Sequence, residues 1–471
     1  MLFRSLLILT FIGLTLSIVA CASGNRNGPY RSSDMQASSA AGRRAAPREP
    51  VDRDGFRRDM RSGTLTAGNF DDAQNPGRYA DWVGDVAELG PRHGFVQGFD
   101  QPAIQLNILN GHGDPVHGAT VVVHDTRRQQ RLMMSSGTDG RCVFFPGYDG
   151  IDSPSLNLTI SAHGVRPVNH TIQAWAGDVI DIEVQGASAP MPEKLDLALV
   201  IDTTGSMGDE LEYLKVEFRA ITERIAERFP HVDQRWAIVV YRDQGDAYVV
   251  RDYDFTSSLN RLIDRLGDQQ AAGGGDYPEA VDQALDCALE LDWRDDAAKV
   301  AFLIADAPPH ADHAAQCLEY AAAMRARGIA MYPVASSGVK AEAEYIFRTA
   351  AMMTGGAYSF LTDDSGVGNR HTDPHQAPDH SIQRLDDLVV QLVESELSGQ
   401  TLEPRRRDVL RQVPEDGAQH TRLSANELRE LRDRRENLAR MLRQTELSPE
   451  TRSAIQRDIE QLDRRIAQAR Q

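Results

Sequence analysis

Three oxygen-bearing side chains follow an apolar run at every second position of the chain. They are Asp202, Thr204 and Ser206. In the run before them, residues 195–201, six of seven residues are apolar, which is typical of a strand buried on both faces of a parallel sheet. Gly205 permits the turn that follows, so the three side chains can converge above the carboxyl end of the strand. Hard oxygen ligands of this kind favour Mg²⁺, Mn²⁺ or Ca²⁺ over a soft metal.

Residues 202–206, with the sequence Asp-Thr-Thr-Gly-Ser, resemble the DxSxS-type metal-ion-dependent adhesion site (MIDAS) of von Willebrand factor type A (vWA) domains. The resemblance extends over residues 193–398. It implies that Asp202, Thr204 and Ser206 ligate a divalent cation, with Mg²⁺ expected and Ca²⁺ or Mn²⁺ as alternatives. Asp306 ends a second apolar run and matches the family's later aspartate. Because both runs are expected to be parallel strands, the two aspartates should emerge on one edge of the sheet.

One position departs from the family pattern. After a Gly-rich turn, where the family usually has a threonine, this chain has Asp276. A third aspartate would give the site a charge of about −1 with a divalent ion, which weakens the attraction of an incoming anionic group. Three alternatives stay open for Asp276: direct ligation that favours Ca²⁺, ligation through water, or a site that holds metal but is poor at adhesion.

Other polar residues could also contact a partner or bind a metal. Arg242, Asp243 and Asp246 are interpreted either as contacts for a partner protein or as turn-forming residues. Two further sets could hold a transition metal, but neither has a strong zinc spacing, and histidines of a first helical turn or of a solvated loop are the favoured interpretation. The two sets are His310, His313 and Cys317, and His371, His375 and His380.

Strand-like and helical patterns alternate across residues 193–398. The alternation predicts an α/β fold with a doubly wound, mainly parallel, Rossmann-like sheet and a ligand site at the carboxyl ends of its strands. The predicted strands are 195–201, 236–241, 247–253, 299–305, 329–334 and 357–361. The predicted helices are 209–229, 259–266, one that opens at 273–276 and runs to 291, 312–327, 342–354 and 382–398.

Residues 101–187 carry short alternating runs separated by turn residues, which predicts a small β-sandwich ahead of the α/β region. The segments 114–119 and 138–141 resemble carboxypeptidase regulatory-like, prealbumin-type domains. That resemblance implies a spacer without catalytic residues.

The two ends of the chain have different patterns. Residues 1–20 resemble a bacterial lipoprotein signal peptide, because Arg4 and an apolar run precede a small residue and Cys21. The resemblance implies a lipid anchor at Cys21 in the bacterial cell envelope, and in the outer membrane if the cell is Gram-negative. Residues 21–61 are expected to be a disordered tether, and residues 62–100 receive no role. Heptad-spaced leucines and isoleucines in 423–471 predict a helical hairpin that packs on itself, on another copy or on a partner.

Charge and cysteine content narrow the functional classes. The net charge of −18, with 69 acidic against 51 basic residues, argues against binding to nucleic acid. Three cysteines remain beyond Cys21, namely Cys142, Cys287 and Cys317. Cys287 and Cys317 could pair in an oxidising compartment, but buried thiols are the favoured interpretation.

Together these patterns predict divalent-cation-dependent binding or adhesion to a protein partner at the envelope. The sequence has no phosphate-loop, nucleophile-elbow, kinase or zinc-protease motif, so no enzymatic activity is predicted. The alternative is a structural envelope scaffold that forms homo-oligomers through the vWA domain and residues 423–471, with only incidental metal. A metal-dependent hydrolase is the least favoured interpretation.

Overall fold

The computed structural model describes residues 62–125, 129–367 and 370–414, together with residues 440 and 442. The predicted signal peptide, Cys21 and the predicted tether lie outside these residues, and so does the predicted hairpin at 423–471 apart from residues 440 and 442. Within the described ranges, no helix is both long enough and apolar enough to cross a bilayer.

The described residues form three β-sheets with helices between their strands. In chain order the strands are β1 (Thr66–Phe70), β2 (Ile104–Asn110), β3 (Thr120–His124), β4 (Gln130–Ser135), β5 (Arg141–Phe144), β6 (Ser155–Ser161), β7 (Val168–Gln173), β8 (Val179–Val184), β9 (Lys194–Asp202), β10 (Asp233–Tyr241), β11 (Val250–Thr256), β12 (Ala298–Ala305), β13 (Ile329–Ala335), β14 (Tyr358–Leu361), β15 (His380–Arg384) and β16 (Val409–Val413). The α-helices are α1 (Pro76–Val86), α2 (Gly208–Arg228), α3 (Leu259–Gly267), α4 (Val281–Leu289), α5 (Ala314–Arg327), α6 (Ala341–Thr354) and α7 (Leu385–Ser398).

The largest sheet has nine strands in the order β11-β10-β9-β12-β13-β14-β1-β15-β16. Its five central strands, from β10 to β14, pair in parallel. Apolar side chains cover both faces of this sheet and form two separate core clusters with the helices. A parallel sheet with helices on both faces is the doubly wound architecture that the sequence predicts.

The segment before the β-sandwich belongs to the large sheet. Sequence analysis gives residues 62–100 no role, yet β1 pairs antiparallel with both β14 and β15. Gly68 is required there, because a Cβ atom at this position would lie 2.5 Å from the Phe360 ring. Residues 101–187 are therefore an insertion between the first strand of the α/β domain and β9. Strands β1 and β16 lie outside the predicted bounds of 193–398 and extend the same sheet.

The region predicted to be a β-sandwich contains two small sheets, mostly antiparallel, around a common core. One has the order β5-β2-β8 and the other β4-β3-β6-β7. The exception to antiparallel pairing is β8, which runs parallel to β2. The prealbumin-type relationship stays a prediction.

The sandwich packs at the amino-terminal edge of the large sheet. Helix α5 connects two parallel strands, so its last turn lies at the edge opposite the carboxyl ends of the strands. In that turn, Arg325 forms a buried ion pair with Asp149 of the sandwich, with 2.6 Å between Nη2 and Oδ1. At the same edge, Thr138 donates a 2.7 Å hydrogen bond to Glu396 at the end of α7. Neither of these two contacts lies at the carboxyl-terminal edge.

Several local predictions need correction. Residues 382–384 belong to strand β15, and only from Leu385 onward is the chain helical. Helix α4 begins at Val281, so the Gly-rich run at 273–275 and the five residues after it form a loop. The first error arose because a short apolar run fits a helix and a strand equally well, and the second because the glycines and Pro278, which disfavour a helix, were included in it. The three thiols Cys142, Cys287 and Cys317 are buried and form no disulfide in the described residues, as favoured from sequence.

A buried ion pair joins the N-terminal segment to helix α6 within the α/β domain. Arg348 of α6 is fully buried, and its guanidinium donates to both oxygens of Asp72 at 2.7 and 2.8 Å. It also donates to Glu344 and stacks 3.7 Å from the centre of the Trp82 ring. This contact fixes β1 and α1 against α6.

Replacement of Arg348 by methionine should therefore destabilise the fold strongly. Removal of the arginine leaves the buried carboxylate of Asp72 without its cation, a loss of about 3–5 kcal/mol in the free energy of unfolding, whereas Glu344 keeps its contact with His375. The matched control is Arg219→Met, because the Arg219 side chain is 61% exposed and its ion pair is with the half-exposed Glu223. That substitution should change stability by less than about 1 kcal/mol. Urea unfolding followed by circular dichroism measures both, and similar midpoints for the two variants would contradict the prediction.

Candidate metal centre

Two aspartates lie at the point where the strand order of the large sheet reverses. Strand β9 pairs on one side with β10 and on the other with β12, both in parallel. Asp202 is the last residue of β9, and Asp306 directly follows β12. Because Ile304 is opposite Ile201, the two aspartates leave adjacent strands at nearly the same level. Ligand sites of open α/β sheets lie at this kind of switch point.

Hydrogen bonds connect the four residues that the MIDAS resemblance selected. Asp202 Oδ1 accepts from the backbone amide of Thr204 at 2.8 Å and from its hydroxyl at 2.7 Å. The Thr204 and Ser206 hydroxyl oxygens are 3.2 Å apart, and the Ser206 hydroxyl donates to Asp306. Asp202 and Thr204 are fully buried, whereas Ser206 is exposed. The cluster therefore has a buried floor and an opening to solvent at Ser206.

The electrostatics of the pair fit a cation. Burial, and then the charge of Asp306, raise the pKa of Asp202 to about 7. Burial is also the main cause that raises the pKa of Asp306 to about 6. Asp202 Oδ2 and Asp306 Oδ1 are both buried and have no hydrogen-bond partner in the described part of the chain. Buried carboxylate oxygens require a partner, and a hard divalent ion is one that this donor set can hold.

A Gly-rich loop closes over the cluster. Gly273 and Gly274 have φ of +84° and +71°, values that residues with a Cβ rarely adopt. Asp246 fixes the loop by accepting a 2.8 Å hydrogen bond from the Gly274 amide. The carbonyl of Gly273 in turn accepts from the amide of Gly205, between Thr204 and Ser206.

The residues predicted as possible partner contacts, Arg242, Asp243 and Asp246, make contacts within the protein. Arg242 and Asp243 are buried rather than presented on the surface. The Arg242 guanidinium lies 4.5 Å from the centre of the Tyr248 ring and donates to the carbonyl of Gln270 at 2.7 Å. Asp246 holds the Gly-rich loop. The alternative of turn-forming residues, which the sequence left open, therefore describes these three side chains better than contact with a partner.

Asp276 does not join the two aspartates. Its side chain is exposed, and in the described residues no three His, Cys, Asp or Glu side chains are grouped so that they could hold a metal ion. Direct ligation by Asp276 has no support in this geometry. No role was predicted for Glu279, which follows the same Gly-rich run and is 3% exposed. Glu279 follows Asp276 by three residues, and this spacing was the available signal in the sequence. In a loop, however, such a spacing does not indicate which side chain faces inward.

The two histidine sets are separated in the structure and contact carboxylates. His310 Nε2 lies 2.7 Å from Asp243 Oδ1, and His313 Nδ1 lies 2.9 Å from Asp282 Oδ2. Cys317 is fully buried. In the second set, His371 lies near Glu210 and Asp363, His375 near Glu344, and His380 near the carbonyl of Pro378. The histidines of both sets are therefore divided among different contacts, and the non-metal interpretation stays a prediction.

The Gly-rich loop gives a sharp mutational test. A Cβ atom on Gly273 would lie 2.3 Å from Asp246 Oδ1 and would also force an unfavourable positive φ. Gly273→Ala should displace the loop, with a loss of about 1–3 kcal/mol in stability and weaker binding of Mg²⁺. Gly275→Ala is the matched control, because a Cβ atom at that position would have no heavy atom within 4 Å. Thermal unfolding with and without Mg²⁺ compares the two variants, and equal behaviour would refute the role given to the loop.

The pH dependence of stability should have a definite sign in EDTA. A carboxyl whose pKa is raised by folding binds protons more tightly in the native state, so stability decreases as pH rises through the interval between the unfolded and folded values. For Asp202 this interval runs from its ordinary value of 3.8 to about 7. We expect a lower thermal midpoint at pH 7.5 than at pH 5.5, and a smaller difference in excess Mg²⁺. A higher midpoint at pH 7.5 in EDTA would contradict the assignment.

Known proteins provide an independent comparison for this region. The family described as von Willebrand factor A domain matches residues 196–366. The von Willebrand factor A domain-containing protein 7 of Mus musculus is 36% identical over 93 residues, which are 20% of this chain and 10% of that protein. The chain aligns with only 10–19% of the length of the first curated relatives it matches.

Two solved structures are also similar to part of the chain. BatB of Bacteroides thetaiotaomicron, described as a conserved hypothetical protein, covers 43% of this chain and 99% of its own, with 12% identity and a TM-score of 0.31. Proximal thread matrix protein 1 of the mussel byssus, solved with a zinc-occupied MIDAS motif, covers 34% of this chain and 40% of its own, with 18% identity and a TM-score of 0.27. The family match, which spans both aspartates and the parallel strands that carry them, leads to one conclusion: this chain contains a von Willebrand factor A domain.

Proposed function

We propose that this protein binds a protein partner through a divalent cation held by Asp202, Thr204, Ser206 and Asp306. The observation that carries the proposal is the pair of buried aspartates, each with one carboxylate oxygen that lacks a hydrogen-bond partner in the described residues. Mg²⁺ is the expected ion, and Ca²⁺ and Mn²⁺ prefer the same oxygen ligands. The ion would supply an open coordination position at which an oxygen of the partner binds.

The position of the sandwich supports presentation of this site to a partner. The contacts of Arg325 with Asp149 and of Thr138 with Glu396 hold the sandwich at the amino-terminal edge of the sheet. The exposed Ser206 lies at the other edge. A spacer at one end and a binding site at the other suit an adhesion protein better than an enzyme, whose reaction would need an enclosed cleft.

Anchoring in the bacterial cell envelope is part of the proposal and depends on the sequence around Cys21. A structural scaffold is the second candidate function, and it depends on the heptad pattern in 423–471. The two differ in their response to metal removal. Adhesion through the cation should be lost in EDTA, whereas self-assembly through 423–471 should persist.

The metal ligands are tested by replacement of a carboxylate without loss of volume. Asp202→Asn removes the charge of the most buried ligand, so we expect loss of detectable Mg²⁺ and Mn²⁺ binding in isothermal titration calorimetry. Asp252→Asn is the control, since Asp252 is an exposed residue of β11 in the same domain. If wild type and both variants bind the cations equally, the proposed centre is wrong.

Partner binding is tested with the same variants. Wild type and Asp202→Asn are immobilised and exposed to extracts of the bacterial envelope, each with Mg²⁺ or with EDTA. A partner retained only by wild type with Mg²⁺ supports cation-dependent binding. Retention of the partner that is unaffected by the substitution and by EDTA, together with loss of oligomers on deletion of 423–471, would favour the scaffold.

A further inference from the structure

The four-stranded sheet of the sandwich has one face in the core and one face outside it. Along β6, Leu156, Leu158 and Ile160 are buried and belong to the sandwich core. Because successive side chains of a strand point to opposite faces, the residues between them, Asn157 and Thr159, point outward. The same alternation gives β7, β3 and β4 outward residues. Together these outward residues form the outer face of the sheet β4-β3-β6-β7.

The outer face is poor in charge. The outward positions of β6 and β7, which alternate along 155–161 and 169–173, carry only Ser, Asn, Thr and Gln. On β4, the outward Arg131 is balanced by a 2.8 Å ion pair with Asp125. In the whole chain 25% of the residues are charged and the net charge is −18, so this face differs from the average of the protein. A ligand that matches the face in charge is therefore an uncharged one.

Hydrogen bonds between side chains fix two cross-strand pairs of the outer face. Thr159 lies opposite Asn169, and its hydroxyl donates to Asn169 Oδ1 at 2.9 Å. Asn157 lies opposite Thr171, whose hydroxyl donates to Asn157 Oδ1, also at 2.9 Å. Asn169 and Thr171 are exposed, so the amide N–H groups of the first and the hydroxyl oxygen of the second are accessible to a ligand. Because these side chains are already held in place, a ligand that binds them causes little further loss of side-chain freedom.

An exposed tryptophan extends the outer face at the end of β7. Of the four tryptophans in the chain, Trp175 is 63% exposed and the other three are buried. The strand pairing continues one step beyond β7, since the amide of the buried Ala174 donates to the carbonyl of Pro154 at 2.9 Å. Trp175 is therefore the next outward residue after Gln173.

The turn after β7 holds Trp175 in place. The Trp175 amide donates to Asp178 Oδ2 at 2.8 Å, and the Asp178 amide donates to the carbonyl of Trp175 at 2.9 Å. Gly177 has a φ of +89°, which this turn requires and which residues with a Cβ rarely adopt. A large aromatic ring is thus exposed to water on an ordered backbone, and such rings are enriched in recognition surfaces.

We propose that the outer face and Trp175 bind an extended, uncharged polysaccharide. A sugar ring carries hydroxyl groups at its edge, which exchange hydrogen bonds with Asn and Thr side chains, and apolar C–H groups on its faces, which pack on an indole ring. Nucleic acids and anionic lipid surfaces require surplus positive charge, which the described residues of the outer face do not supply. The sandwich would then bind a glycan without the cation at Asp202 and Asp306.

The exposed tryptophan provides an optical test on the whole protein. The protein is titrated in EDTA with cellohexaose and with chitohexaose, the uncharged hexasaccharides of glucose and N-acetylglucosamine. Binding of at least one of them should reduce the quenching of tryptophan fluorescence by acrylamide, because the sugar covers Trp175 and the other three tryptophans are buried. The affinity should be the same when Mg²⁺ replaces EDTA.

Two substitutions locate the site by calorimetry with the same hexasaccharides. Trp175→Ala should weaken the affinity by about 10-fold or more, as expected when an aromatic anchor is lost. Leu410→Ala is the matched control, because Leu410 is a 54% exposed apolar residue of β16 in the α/β domain, and its affinity should stay within about twofold of wild type. Thr171→Val keeps the shape of the side chain but removes the hydroxyl, so its affinity should decrease about 2–10-fold, the effect of one ordinary hydrogen bond.

The aromatic ring and the fold are separated by two further measurements. Trp175→Tyr keeps an aromatic ring and should bind more tightly than Trp175→Ala, whereas a residue that only supports the fold would give no such order. Mg²⁺ binding should be equal in wild type and in all these variants, so failure of the glycan site leaves the proposed cation centre untouched.

Four results would overturn the glycan site. The first is a wild-type protein that binds neither hexasaccharide, and the second is equal affinity of wild type, Trp175→Ala and Thr171→Val, which would place the binding elsewhere. The third is loss of binding in EDTA, since the cation centre would then be responsible. The fourth is a dimer that sedimentation velocity detects in wild type but not in Trp175→Ala, because a second copy would then occupy the outer face.

Discussion

The repulsion between buried carboxyls at one edge of the sheet is the constraint on which the candidate site depends. Asp202 and Asp306 leave adjacent parallel strands at nearly the same level, and each has a carboxylate oxygen without a hydrogen-bond partner in the described residues. Without a cation, protonation relieves the repulsion, as the raised pKa values of both residues indicate. With a divalent cation, the same charges become a source of binding energy. The metal and the stability of this edge are therefore linked.

The rest of the fold stabilises this edge from a distance. Strand β9 is buried on both faces and is held by β10 and β12, so the position of Asp202 does not depend on a flexible loop. At the opposite edge, Asp196 is fully buried and paired with Arg235 and Arg294. Strand β9 thus carries a buried aspartate near each end, and the charges of the two are compensated differently. One is compensated by arginines of the protein, and the other is left for a ligand.

The inserted sandwich and the N-terminal segment enlarge the domain without covering the site. Strand β1 occupies a place inside the large sheet, and the Arg348–Asp72 pair fixes it to α6. The sandwich lies against the last turns of α5 and α7. Both helices end at the amino-terminal edge. The insertion of the sandwich at that edge therefore leaves the exposed Ser206 accessible.

The sequence by itself determined the core of the α/β domain and four residues of the site. Uninterrupted apolar runs ending in Asp202 and Asp306 predict buried parallel strands, and the short spacing to Thr204 and Ser206 places these residues in one turn. Such signals are local, so they can be identified in the sequence without the tertiary structure. Strand β15 was misassigned because a short apolar run is compatible with both helix and strand, and the start of α4 was misplaced because the Gly-rich run and Pro278 form a loop.

Only the tertiary structure decided which acidic residue of the Gly-rich loop faces the cluster. Glycines with positive φ and the clamp from Asp246 set the course of the loop, so that Glu279 turns inward and Asp276 outward. It also placed β1 between β14 and β15, pairings across about 290 to 320 residues that no local pattern encodes. Side-chain direction in a loop and strand neighbours in a sheet both depend on long-range contacts, and these exist only in the folded chain.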